Sequence, residues 1–177
     1  MRITISGPPG SGKTTVCRHL AERLGYPCVV SGNIFRQMAE EHGLTLEEFG
    51  RLAEREAKHD RALDDRILNI AREREDLVLE GRLAAHMLRR HGIPAFSIFL
   101  DADLEERARR VAEREGVPIE RAREDILARE GSESRRYSTY YAIDLADRSV
   151  YDLTLDTTHL SPEQVVERIL DHLEGMK

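Results

Sequence analysis

Short apolar runs alternate along the chain with longer stretches in which hydrophobic residues recur every three or four positions. The short runs, residues 3–6, 28–31, 77–79, 96–100 and 151–155, are rich in Ile, Val, Leu and Phe and read as buried strands. Between the first two, Val16, Leu20 and Leu24, with Ala21 beside them, form a helical stripe that Gly25 is placed to end. Leu63, Ile67, Ile70 and Ala71 mark a second helix face. Thr45 with Glu48 forms a capping box that starts a helix at Leu46, and Ser161, Pro162 and Gln164 do the same for the last helix. Asp103, with Glu106 three residues on, is the expected N-cap of a further helix. Five strands separated by helices predict an α/β fold, a parallel sheet covered on both faces.

Two helical stretches, residues 34–76 and 116–144, are longer than a crossover between parallel strands requires. Placed beyond the strand ends, they are expected to act as mobile insertions on a core of residues 1–33, 77–115 and 145–177. The whole chain of 177 residues suits one domain.

Composition narrows the classes. Charged residues make up 34% and apolar ones 40%, as in a helix-rich protein with well-solvated faces. With 27 basic and 33 acidic residues the net charge is −6, which is no overall footprint for nucleic acid. Any anion must be met by a local group of cations. No apolar run is long enough to span a bilayer, and a strand at the first residues leaves no room for a signal peptide, so the expected compartment is the cytoplasm. Cys17 and Cys28 have no metal-ligand spacing and are expected to be small buried residues.

The chemistry is signalled by the run Gly7-Pro8-Pro9-Gly10-Ser11-Gly12-Lys13-Thr14, followed by Thr15. It fits G-x-x-x-x-G-K-[ST] without mismatch and lies between a strand and a helix, as that motif requires. Glycines let the backbone wrap a phosphate, and the helix that follows adds its positive end. Lys13 can reach the β- and γ-phosphates, and the Thr14 hydroxyl can ligate Mg²⁺. The loop therefore implies ATP or a similar triphosphate. Glu80, at the end of the third strand, is placed to hold Mg²⁺ through water.

The acceptor side is rich in arginine. Ser31 ends the second strand, with Arg36 five residues on; Arg82 follows Glu80 and Gly81; and Arg129, Glu133, Arg135 and Arg136 lie in the second insertion. An acceptor that is itself a phosphate needs no general base, only cations that let two anions approach. A kinase acting on a hydroxyl is expected to carry a carboxylate just after strand two, where this chain has SGNIFR.

Taken together, SGPPGSGKTT, VVSGNIFRQMA, LVLEGRLA, FSIFLDADLEERARR and AREGSESRRYSTYYAID resemble, in content and order, the archaeal-type cytidylate kinases. The resemblance spans essentially the whole chain. It implies a P-loop nucleoside monophosphate kinase fold with sheet order 2-3-1-4-5, residues 34–76 as the monophosphate-binding insertion and 116–144 as the lid. The implied reaction joins MgATP with CMP or dCMP to give ADP and the diphosphate, in a monomer. By position, Ser31 and Arg36 correspond to monophosphate-binding residues and Arg82 to the arginine beside the pyrimidine. Arg129, Glu133 and Arg136 correspond to the lid pattern of arginine, acid and arginine, in which related bacterial enzymes typically carry aspartate at the acid. The nearest alternative keeps the chemistry and changes the acceptor to AMP, UMP or a small hydroxylic metabolite, as in an adenylate or other small-molecule kinase; the phenylalanine-proline-arginine run of adenylate kinases is absent after Glu80. An ATP-dependent switch or assembly factor is the alternative of another class.

Other residues carry weaker signals. Arg110, in the charged helix EERARRVAERE, is a possible phosphate clamp or an i,i+4 ion-pair partner. Asp60 and Asp64 share a helix face expected to be solvated. Tyr137, Tyr140 and Tyr141 share a face expected to serve packing.

Overall fold

A computed structural model of the protein, which describes residues 1–176, carries five strands and eight helices among those residues. In chain order they are β1 (Arg2–Ser6), α1 (Lys13–Leu24), β2 (Cys28–Val30), α2 (Ser31–Glu41), α3 (Leu46–Arg55), α4 (Ala57–Glu73) and β3 (Leu77–Glu80). Then come α5 (Ala84–Arg90), β4 (Phe96–Asp101), α6 (Leu104–Glu115), α7 (Ile119–Tyr141), β5 (Leu153–Asp156) and α8 (Pro162–Glu174). The sheet is parallel throughout, in the order β2-β3-β1-β4-β5.

The period of two along each strand divides the core between the two faces of the sheet. Ile3, Ile5, Val78, Ile98 and Leu100 meet Val16, Leu20, Val165 and Ile169 of α1 and α8. Leu77 and Leu79, pointing the other way, meet Ile67, Leu68, Leu83 and Met87 of α4 and α5 and the loop between β3 and α5. Burial on both faces is why the strands read as continuous apolar runs. The polar exceptions are satisfied within the sheet: Thr4 donates to Ser97 Oγ at 3.0 Å and Ser6 to the Gly81 carbonyl at 2.7 Å.

Every parallel strand delivers its C-terminal end to the same edge, where open α/β sheets bind ligands. The loop after β1, Ser31 after β2 and Glu80 at the end of β3 all arrive there. Helices α2 to α4 form a small unit around Met38, Ala39 and Phe49, with Phe35 and Phe49 ring centroids 4.8 Å apart. Helix α7 packs its first half on α6 through Ala122 and Ile126 and sends Tyr137 into the cluster beneath α4 and α5.

Several boundaries differ from the sequence pattern. Ser31 opens α2 instead of closing β2, and β5 begins at Leu153 because Tyr151 still closes a turn on the Arg148 carbonyl. Both capping boxes form, at Thr45 and Ser161, whereas Asp103 occupies its N-cap without a side-chain bond. Among the described residues, no helix is long and apolar enough to cross a membrane.

Leu100 is wholly enclosed near the C-terminal end of β4. Leu100→Ala is expected to cost about 2–5 kcal/mol of folding stability, read in urea as a lower midpoint with an unchanged slope.

Candidate functional site

The loop between β1 and α1 is built inside out. Its carbonyls are tied down from behind: Pro9 O accepts from Arg107 Nη1 at 3.4 Å, Gly10 O from Arg110 Nη1 at 3.3 Å, and Ser11 O from Thr157 Oγ1 at 3.0 Å. The Gly12 carbonyl accepts from Val16 at 3.0 Å, within the first turn of α1. With the carbonyls occupied, the amides of Gly10 and Gly12 find no acceptor among the described residues, and the first-turn amides of α1 are free by helix geometry. Gly10 holds φ at +81°, and a Cβ there would stand 2.7 Å from the Arg107 carbonyl, so no other residue fits. The Ser11 hydroxyl is buried and without a partner among the described residues. Such a concave set of N–H and O–H donors at a helix N-terminus is a receptor for an oxyanion.

Lys13 opens α1, 8% exposed. Burial brings its ammonium down from 10.5 to about 8, with Glu80 opposing that shift and Arg129 adding to it. One residue on, Thr14 Oγ1 lies 3.0 Å from Glu80 Oε2. A hydroxyl and a carboxylate side by side at the mouth of a phosphate loop suit a hard divalent cation that keeps much of its water.

Above the loop, α7 contributes a ladder of charges. Arg82 Nε donates to Glu133 Oε2 at 2.6 Å, and Arg129 Nε reaches Glu133 Oε1 at 3.2 Å. Glu133 is 5% exposed; burial works against its charge, but Arg82, Arg129 and Lys13 together hold the carboxyl below its ordinary value. Arg136 Nε donates to Asp60 Oδ2 at 2.9 Å, joining α7 to α4. Tyr141 donates to Asp64, and Tyr140 donates to the Ala53 carbonyl at 2.8 Å.

The structure thus gathers Lys13, Thr14, Glu80, Arg82, Arg129, Glu133 and Arg136 over the strand ends. Ser31, which donates to the Glu80 carbonyl at 2.6 Å, stands beside them, and Gly81 makes room for it, since a Cβ there would collide with the Ser31 hydroxyl. Arg36 is exposed on α2 and makes no ion pair with a described residue. Thr15 is exposed on α1, just beyond the loop. Arg110 sits behind the loop, bound to Gly10, Thr157 and Glu106, where it supports the backbone that faces an anion.

Two expectations are corrected. Asp60 and Asp64 are not solvated: they are 2% and 6% exposed, each bonded to α7. They continue the stripe of Ile67 and Ala71 by steps of three and four, and that is the signal that could have placed them inside. Cys28 is exposed, not buried. Arg107 was not singled out by sequence reasoning, although it shares a helix face with Ala108 and Val111; it is buried, pairing with Glu130 at 2.6 Å while holding the loop.

A hollow of about 250 Å³ opens beside Pro8, Arg82, Phe99, Arg107, Glu130 and Arg148, at the same edge of the sheet. A larger hollow of about 760 Å³, near Arg2, Phe96 and His172, lies at the opposite edge, away from this chemistry.

Comparison with known proteins fits this arrangement. A model of the cytidylate kinase-like family matches residues 2–159. The chain is 47% identical to a cytidylate kinase of Halobacterium salinarum, covering 99% of this chain and 90% of that one. It is 50% identical to a cytidylate kinase of Natronomonas pharaonis, covering 93% and 85%. Among solved structures, the shikimate kinase of Aquifex aeolicus superposes with a TM-score of 0.64 at 24% identity, covering 99% of this chain and 97% of that one, a likeness of fold.

Asp64 offers a test of the α4–α7 contact. Burial raises its carboxyl from 3.8 to about 7, Asp60 and Asp65 adding to the shift and the Tyr141 bond opposing it. The folded form then holds a proton that the unfolded form releases, so stability present below about pH 4 is lost as pH rises towards 7. Asp64→Asn is expected to flatten that decline, measured as melting temperature against pH.

Proposed function

The chain belongs to the cytidylate kinase-like family, and from that premise we propose that it transfers the γ-phosphate of MgATP to CMP or dCMP, giving ADP and CDP or dCDP. The observation that carries this reading is the set of cations over the phosphate loop, among which the carboxylates of Glu80, Glu133 and Asp60 are each engaged, Glu80 by the Thr14 hydroxyl at 3.0 Å. Glu133 is held by Arg82 and Arg129, and Asp60 by Arg136. A monophosphate is already a nucleophile, so the residues need only position two anions and neutralise the charge between them.

The loop from Gly7 to Thr15 binds the triphosphate through its amides, and Lys13 regains full protonation on meeting the transferring phosphate. Thr14 and Glu80 would hold Mg²⁺, which when bound neutralises charge between the β- and γ-phosphates. Ser31, Arg36 and Arg82 receive the monophosphate, with residues 34–76 as its binding insertion. Residues 116–144 act as the lid that brings Arg129 and Arg136 over the phosphates and excludes water. Arg129 and Arg136 each rest on a carboxylate through Nε, on Glu133 and Asp60, so both guanidiniums are held in place before the substrate arrives. In this reading the enzyme works as a monomer in the cytoplasm.

The direct test is ADP formation from ATP and Mg²⁺ with CMP, dCMP, UMP, AMP, GMP or no acceptor. The expected result is strong turnover with CMP or dCMP and little without an acceptor. Turnover mainly with AMP would retain the mechanism and change the base, while acceptor-independent hydrolysis would favour an ATP-driven switch.

Variants separate the two halves of the site. Lys13→Ala and Arg129→Ala are expected to lower kcat roughly 100-fold or more with folding intact. Arg36→Ala is expected to raise the KM for CMP by about 10- to 100-fold, the worth of one charged hydrogen bond. An Arg36→Ala enzyme with both constants unchanged would remove Arg36 from the acceptor site.

A further inference from the structure

Helix α1 and strand β2 meet at two sulfurs. Cys17 is wholly buried, one turn beyond Lys13, and Cys28 is exposed at the first position of β2. Their Sγ atoms are 3.2 Å apart. The approach is fixed by the fold on both sides. Helix α1 ends at Gly25 with φ 68°, and the Tyr26 amide bonds back to the Ala21 carbonyl at 2.9 Å. The Pro27 carbonyl accepts from Val78 at 2.9 Å, and Cys28 then pairs in register with Val78 of β3. A disulfide bond is about 2.05 Å long, so the two atoms have about 1.2 Å to travel, within reach of side-chain rotation.

We infer that Cys17 and Cys28 are a redox-active pair that closes to a reversible intramolecular disulfide when the protein meets a hydroperoxide, Cys28 reacting first and Cys17 resolving. The Cys28 thiolate attacks one peroxide oxygen; the O–O bond breaks, an S–O bond forms, and the other oxygen leaves, takes up a proton and departs as water or an alcohol. Cys17 sulfur then attacks Cys28 sulfur, the S–O bond breaks, and hydroxide leaves with the Cys17 proton as water. Two thiols lose two electrons and the peroxide bond gains them.

The order of events follows from the surroundings. The contact with Cys17 is the main cause that brings the Cys28 thiol down to about 7; Arg18 acts in the same direction, while burial and Glu80 oppose it. The same contact and burial push Cys17 up, so it stays protonated until it resolves. An accessible thiolate next to a buried thiol is the arrangement of a sensor and its resolving partner. Closure protects Cys28 from further oxidation and ties the helix that carries Lys13 to the strand that leads into Ser31.

The test counts thiols and does not depend on the kinase reading. The reduced full-length protein is exposed to hydrogen peroxide, unfolded, alkylated with N-ethylmaleimide and weighed intact. The expected product takes up no maleimide, is lighter by about 2 Da, regains both thiols with dithiothreitol and melts several degrees higher, as a short closed loop should. Cys28→Ser should keep Cys17 alkylatable after the same treatment, and Cys17→Ala should let Cys28 gain oxygen atoms. Wild-type protein that retains two alkylatable thiols, accumulates oxygen on Cys28 or links to a second chain would overturn the inference.

Discussion

A backbone that binds phosphate must turn its carbonyls away from the phosphate. Left to itself, a loop of six residues would present C=O and N–H groups in mixture, and the oxygens would repel the anion. Here Arg107, Arg110 and Thr157 draw the carbonyls of Pro9, Gly10 and Ser11 outward. These anchors come from α6 and from the segment after β5, the last strand of the sheet. The anion receptor at the start of the chain therefore depends on order reached only when its end has folded back beside β4. Thr157 serves both, because its amide also donates to the Asp101 carbonyl at 2.8 Å.

The same economy of charge runs through the upper half of the site. A group of arginines facing a phosphate loop would repel itself without substrate, and Glu133 and Asp60 remove that cost by standing among them. Both acids are nearly enclosed, so neither persists without its cations. The pairs also join segments that the chain order keeps far apart, the loop after β3 to α7 and α4 to α7. Electrostatic neutralisation and assembly of the site are one event.

The architecture was largely written in the pattern of the sequence. Buried parallel strands cannot alternate with polar residues, so their runs stand out, and the loop motif places itself between a strand and a helix. Cap boxes at Thr45 and Ser161 were legible because they involve neighbours in sequence. What escaped was long-range pairing. Asp60 and Asp64 look like surface carboxylates until α7 lies over them, and Arg107 looks like one charge among many until the loop arrives. Cys28 reads as a small buried residue, as free cysteines usually are, yet β2 is an edge strand of the sheet. Local rules recover elements; partners distant in the chain need the fold.

Helix α7 runs unbroken from Ile119 to Tyr141, packed on α6 at one end and bonded to α3 and α4 at the other. Held as one rod, α7 couples Arg129 and Arg136 mechanically, so on the proposed function any movement of the lid would carry both at once. The donor and acceptor pockets of that proposal would then share one degree of freedom. A ligand that favours one position of the rod on one side would favour it on the other, and by thermodynamic reciprocity to the same extent.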